Sequence, residues 1–200
     1  MTRHGIRAAS VAGSALALAS WGPLAHAHLV ETGLGPVYDG IAHFALTPED
    51  LIPALALAVL TGLRGSDHAR RVIFFLPLAW LIAGLVGASV RVPLPGSLAW
   101  LPLLGLGALV AADFRMPAAA TTAIAVVVGG FLGLANGMAM TQAGAGMRGV
   151  LGIVGAVFVV TTLAAAAAVA WQSGWLRIAW RVAGSWIAAS GLLLLGWSLR

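Results

Sequence analysis

The sequence predicts an all-α, polytopic membrane helix bundle with about six transmembrane helices after a cleaved signal peptide. Three observations lead there. Of its 200 residues, 60% are hydrophobic and only 8% are charged, whereas ordinary soluble domains carry roughly 25% charged residues. Apolar blocks long enough to cross a bilayer recur along the whole chain. None alternates with the two-residue period of a strand, and helices then satisfy the backbone polar groups that lipid cannot.

Charge narrows the partners. The formal net charge is +5 and every basic side chain is an arginine, yet no basic run is longer than Arg70-Arg71. A nucleic-acid surface needs a clustered basic face, and scattered arginines between apolar blocks exclude it. The chain has no cysteine, so it carries no disulfide, thiolate metal site, lipobox-type acylation or c-type haem attachment.

The first segment reads as a targeting signal. Arg3 and Arg7 form a positive n-region, residues 8–19 an apolar core too short to span, and Ala25-His26-Ala27 an A-x-A cleavage signature. Residues 1–27 are the expected signal peptide and residues 28–200 a single transmembrane domain. Candidate spans cover about 41–63, 72–90, 94–112, 117–140, 150–171 and 182–199. With the mature N-terminus outside, Arg64, Arg70, Arg71, Arg115, Arg177 and Arg181 fall on the cytoplasmic side and Arg91, Arg148 and Arg200 on the other. That split obeys the positive-inside rule and suits a multi-pass protein of a bacterial-type inner (cytoplasmic) membrane. Trp100, Trp171, Trp175, Trp180 and Trp197 lie near span ends, where indoles anchor in the headgroup layer. Gly129, Gly133 and Gly137, then Gly149, Gly152 and Gly155, read as places where helices approach closely.

The polar residues of the first span need a reason to be there. Its fully apolar part is only 51–63, and the preceding half holds His43, Glu49 and Asp50, with Asp39 one turn before His43. An ionisable group in hydrocarbon is costly enough to mark a functional site. A second reading covers part of the set: Thr47 as N-cap, Pro48 at the first helical position, and Glu49 and Asp50 against the positive helix end. Capping leaves His43 and Asp39 unexplained. On a continuous helix His43 and Asp50 lie about 10 Å apart, so joint action needs a fold-back at Pro48 or two successive sites. Asn136, alone in an apolar run, reads as an interhelical hydrogen bond or a pathway contact. His28, if it becomes the first residue, pairs an imidazole with a free α-amino group, a chelate suited to nickel or copper. His68 reads as a solvated loop residue.

The overall layout resembles the HupE/UreJ family: Ala25-His26-Ala27 closing a signal peptide, His28 just after it, a first span opening Gly40-Ile-Ala-His43, then about five more helices. The stretches from Asp67 to Ala79 and from Arg181 to Leu192 look like that family's second and last helices. The family motif H-P-x-x-G-x-D-H is met by His43 and Asp50, with one extra residue of spacing, Pro48 near the glycine position and Leu51 replacing the second histidine. An F-x-x-x-H-G type segment looks like the stretch from Phe131 to Gly137, with Asn136 in place of histidine.

The resemblance implies a nickel- or cobalt-type permease, or a permease-like accessory protein, of hydrogenase and urease systems. His43 and Asp50 would be ligands at the outer mouth, Asp39 and Glu49 would attract cations, and Asn136 would be a neutral pathway contact. No permanently bound cofactor is expected, the metal ion being cargo; the bilayer, a second copy or a metalloenzyme maturation system are the expected partners. The alternative is a non-transporting accessory or scaffold protein that has lost the family's metal site. An intramembrane serine hydrolase would need a histidine base beside a serine within the spans, a pairing the five histidines do not offer, and the chain is read as a non-enzyme.

Intact-mass measurement of the purified protein should give a species beginning at His28; a species beginning before His26 would contradict cleavage.

Overall fold

The computed structural model describes residues 32–90, 98–171 and 174–199. The expected signal peptide, its cleavage site and His28 lie outside the described residues, as do Arg91 and Arg200. The described residues form seven helices: α1 (Pro36–Leu46), α2 (Pro48–Gly62), α3 (Ser66–Ser89), α4 (Trp100–Ala111), α5 (Ala118–Gln142), α6 (Gly146–Ala170) and α7 (Gly174–Ser198). This is a polytopic helical membrane bundle. Helices α3, α5, α6 and α7 are each long and apolar enough to cross a membrane.

The expected first span is two helices. They meet at Thr47 with a bend of 72°, because Pro48 has no N–H to continue the upstream ladder and disfavours helical geometry at the residue before it. Thr47 is accordingly extended, with φ −101° and ψ 99°. Helix α4 has 12 residues, about 18 Å of rise, less than the roughly 30 Å hydrocarbon thickness. The six expected passages therefore correspond to four long helices, one broken pair and one short helix.

Helix α2 is the axis of the bundle. It touches each of the other six helices, and every position from 56 to 62 is buried. A helix apolar on all sides is what a fully surrounded position requires. Thr61, the polar exception at that depth, gives its hydroxyl to the Leu57 carbonyl oxygen at 2.9 Å, so its own helix satisfies it. Around this axis lie Phe44, Leu57, Leu60, Leu76, Trp80 and Ile153, all fully enclosed. The Phe44 ring meets Trp80 edge-on at 5.9 Å, the arrangement that ring quadrupoles favour. Helix α7 lies outermost, packed mainly on α4, with 11% of its apolar window buried against 28–33% for the other long helices.

Small residues set the helix spacing. A Cβ at Gly129, Gly133 or Gly137 would run into the carbonyl oxygens of Leu76, Trp80 and Gly84, so this series seats α5 on α3. On α6 against α1, a Cβ at Gly152 would run into the Val37 carbonyl oxygen, and a Cβ at Gly40 of α1 into the carbonyl oxygen of Gly149. Gly155 faces open space, and the second expected series stops one member short. A third set, Gly107 on α4 with Gly184 and Gly191 on α7, brings those two helices together.

Helix ends depart from the hydropathy windows. Helix α3 begins at Ser66 and α7 at Gly174, because helices continue through the polar interface beyond the apolar stretch that a span must bury. Residues 66–71 are thus the first turns of α3. His68 is half-buried there, with Nδ1 3.4 Å from Thr121 Oγ1 of α5, which corrects its reading as a solvated loop residue. Trp171, Trp175 and Trp197 are exposed, as anchors should be. Trp180 instead packs partly against the core.

Gly137→Val should force α3 and α5 apart and destabilise the bundle by about 1–3 kcal/mol, read as a lower melting temperature in detergent. Gly155→Val, the same change in open space, should melt like the wild type.

Candidate functional site

The break at Thr47 does local chemistry. It turns the end of α1 back across the start of α2, so that His43 Nε2 lies 3.8 Å from Asp50 Oδ2, where a continuous helix would hold them about 10 Å apart. Of the two arrangements weighed for His43 and Asp50, the chain adopts the fold-back. Asp50 occupies the third helical position of α2 and is only 5% exposed. Its other oxygen, Oδ1, accepts a hydrogen bond from Asn136 Nδ2 of α5 at 3.0 Å. The same Nδ2 donates to the Leu132 carbonyl oxygen at 2.9 Å. With both donor directions fixed by acceptors, the amide orientation is set by chemistry, and Asn136 Oδ1 is left buried without a partner among the described residues. Asn136 also neighbours the His43 ring. Three residues on three different helices thus make one buried polar cluster of an imidazole, a carboxylate and an amide.

Capping accounts for part of this. Thr47 is at the N-cap position and Pro48 at the first helical position, but the threonine side chain makes no capping hydrogen bond. Asp50 sits near the positive end of the α2 dipole and also accepts a hydrogen bond from another helix, so the capping position describes only part of its surroundings. Pro53, in the next turn, has no N–H to offer the Glu49 carbonyl oxygen.

The remaining expected residues lie apart from the cluster. Asp39 binds its own lead-in segment, accepting from the Thr32 N–H at 2.7 Å and the Thr32 hydroxyl at 2.6 Å. Glu49 lines an outer groove with Pro48, Ile52, Leu103, Leu193 and Trp197. Among the described residues, no three His, Asp or Glu side chains converge in a metal-holding group.

A second charged cluster, absent from the sequence reading, closes the opposite end of α2. Asp113 takes an ion pair from Arg64 Nη2, in the α2–α3 turn, on Oδ1. On Oδ2 it meets Arg177 Nη2 of α7 at 2.6 Å and Nε at 2.7 Å. Arg181, one turn on, donates from Nε to the Ala111 carbonyl oxygen at 2.9 Å. The backbone around Asp113 forms a Schellman motif: its N–H bonds to the Val110 carbonyl and the Phe114 N–H to the Leu109 carbonyl. Asp113 stands where glycine is usual and holds a left-handed φ of 50°, a conformation costly for a residue with a Cβ. The sequence carried a signal for it, since Asp113 is the only acidic residue after Asp67 and falls among the arginines grouped on one side. These contacts place Arg64, Arg177 and Arg181 at one end of the bundle, in line with their expected grouping.

A polytopic helical membrane protein whose broken first span buries a His-Asp-Asn cluster is the class that fold and site define. The chain matches the family described as HupE / UreJ protein over residues 15–194, and it belongs to the HupE/UreJ family. No curated protein and no solved structure matches it.

Burial works to raise the Asp113 pKa, but hydrogen bonds from Arg177 and Arg64, together with their charges, outweigh it and hold the carboxyl below its usual value. A depressed folded pKa means that the stabilisation is complete above the ordinary aspartate value of about 4. It declines as pH falls below that value and is gone once pH has passed through the lowered one. Melting curves against pH should show that acid-side loss in the wild type, and Asp113→Asn should start from a lower melting temperature at pH 7 without this component.

Proposed function

We propose that this protein is a permease for a divalent transition-metal ion of the nickel or cobalt type, with His43, Asp50 and Asn136 as the site that receives the ion. Membership of the HupE/UreJ family gives the coarser statement, a membrane protein of nickel- and cobalt-related accessory systems. The observation that carries the finer reading is the 72° break, which sets His43 Nε2 at 3.8 Å from Asp50 Oδ2 with Asn136 on the same carboxylate.

Imidazole nitrogen suits nickel and cobalt, and a carboxylate supplies the charge. Asn136 Oδ1, an acceptor with no partner among the described residues, adds a neutral oxygen for the ion or its water. Asn136 has a second role through Nδ2, which orients the Asp50 carboxylate as outer-shell groups orient metal ligands. Discontinuous helices at the substrate site are a recurrent transporter device, because backbone freed at the break and a helix end both face the cargo. In this reading Asp39 and Glu49 draw cations towards the mouth. His28 would add a terminal chelate if cleavage follows Ala27, and the arginine-rich end faces the cytoplasm of a bacterial-type inner membrane. A metalloenzyme maturation system would receive the ion, a second copy of the chain would be its neighbour in the bilayer, and no step calls for catalysis.

The accessory-protein reading draws support from one observation: the cluster offers a single imidazole, and no third His, Asp or Glu joins it among the described residues.

Uptake of nickel and cobalt should be measured in cells lacking their own importers, at matched protein levels. His43→Ala and Asp50→Asn should each reduce uptake by about tenfold or more, the equivalent of at least 1.4 kcal/mol of ligand binding. Asn136→Ala should reduce it by about ten- to a hundredfold, as loss of an outer-shell partner does. If the wild type moves neither ion, or His43→Ala equals the wild type, the accessory reading replaces this one.

A further inference from the structure

The arginine end of the bundle carries more positive charge than the protein neutralises. Three guanidiniums, of Arg64, Arg177 and Arg181, converge on Asp113 and on the Ala111 carbonyl oxygen at the C-terminus of α4. A helix C-terminus contributes about half a negative charge, so roughly one and a half positive charges are left over. Arg64 presents little of this, its side chain being 7% exposed. Arg177, at 34%, and the exposed Arg181 present the rest. Arg181 commits Nε to Ala111, and its two Nη groups have no partner among the described residues.

From this charge excess and its surroundings we infer that the α4–α7 junction binds the headgroup phosphate of an anionic phospholipid. Arg177 and Arg181 are four residues apart and form one stripe of α7. The neighbouring stripe, Ile178 and Val182, is exposed, as are Trp175 and Phe114 beside it. A phosphate on the arginines would therefore lie next to an apolar wall that takes the acyl chains, a combination a free anion cannot use. Helix α7 is also the long helix with least of its surface covered by protein, so its outer face meets lipid directly. Basic pockets between membrane helices take anionic headgroups on this physical basis. The lipid would complete the neutralisation of the Asp113 cluster and fasten α7 to α4 at the end where their ion pairs converge. The inference is independent of what the His43 cluster carries.

The test is native mass spectrometry of the full-length protein released from detergent after incubation with phosphatidylglycerol, with phosphatidylcholine, or with inorganic phosphate. The wild type should retain phosphatidylglycerol over phosphatidylcholine by about fivefold or more, in keeping with one basic side chain near an anionic surface. Arg181→Gln should remove most of that preference, Arg181→Lys should keep it, and Arg148→Gln, a matched charge loss at the other end, should leave it unchanged. Because Arg181→Lys retains the charge, a folding defect in the glutamine variant is separable from loss of the site. Equal retention of the two lipids, or an Arg181→Gln protein with wild-type preference, would overturn the proposal. So would displacement of phosphatidylglycerol by inorganic phosphate, which would make the site one for a soluble anion.

Discussion

A carboxylate buried in the wall of a membrane bundle is the constraint around which the rest of this structure is arranged. Asp50 has 5% of its surface exposed, and hydrocarbon offers it nothing. Three features answer it together. The start of α2 supplies the positive end of a helix dipole, the break at Thr47 returns the His43 ring to one oxygen, and Asn136 crosses from α5 to the other. Remove the break and the imidazole moves away along the helix; remove the amide and one oxygen loses its donor. Residues that look like separate oddities in the chain are consequences of placing one charge.

Helix α2 connects that charge to the other end of the molecule. It begins at the polar cluster, runs enclosed by all the other helices, and ends at the turn that supplies Arg64 to Asp113. The two charged clusters are therefore the two ends of one buried rod. Its interior residues are small or aliphatic, with Ala54, Ala56 and Ala58 fully or almost fully enclosed, which allows neighbours to press in from every side. The glycine series on α5, α6 and α7 extend that logic outward, since without a strong hydrophobic drive between helices in lipid, close packing carries much of the association.

Much of this was legible in the chain. Composition and span-length arithmetic gave the helical membrane class, because lipid leaves so few alternatives. Pro48 marked the break, and Asn136, the lone amide in an apolar run, marked the partner helix. What could not be read was convergence. Glu49 and Asp50 are adjacent in sequence, yet one lines an outer groove and the other is buried, because successive helical positions point about 100° apart and only tertiary packing decides which faces inward. Asp39 looked like a fourth member by spacing, but its nearest donors are in Thr32. The role of Asp113 depends on two arginines 49 and 64 residues away, a distance no local pattern encodes. Helices α3 and α7 run longer than their apolar stretches, because hydropathy measures what must be buried in hydrocarbon rather than where a helix ends.

The central claim is that the chain folds back at Thr47 to set His43 on Asp50, and a distance measured in bilayers tests it directly. Solid-state NMR dipolar recoupling between the ¹⁵N-labelled His43 ring and the ¹³C-labelled Asp50 carboxyl would serve, with Asp39 and Asp67 replaced by Asn and His28 and His68 by Gln to remove competing pairs. Strong coupling, as expected for Nε2 and Oδ2 at 3.8 Å, is the result predicted. Absence of coupling, as a continuous helix with the two side chains about 10 Å apart would give, would contradict it.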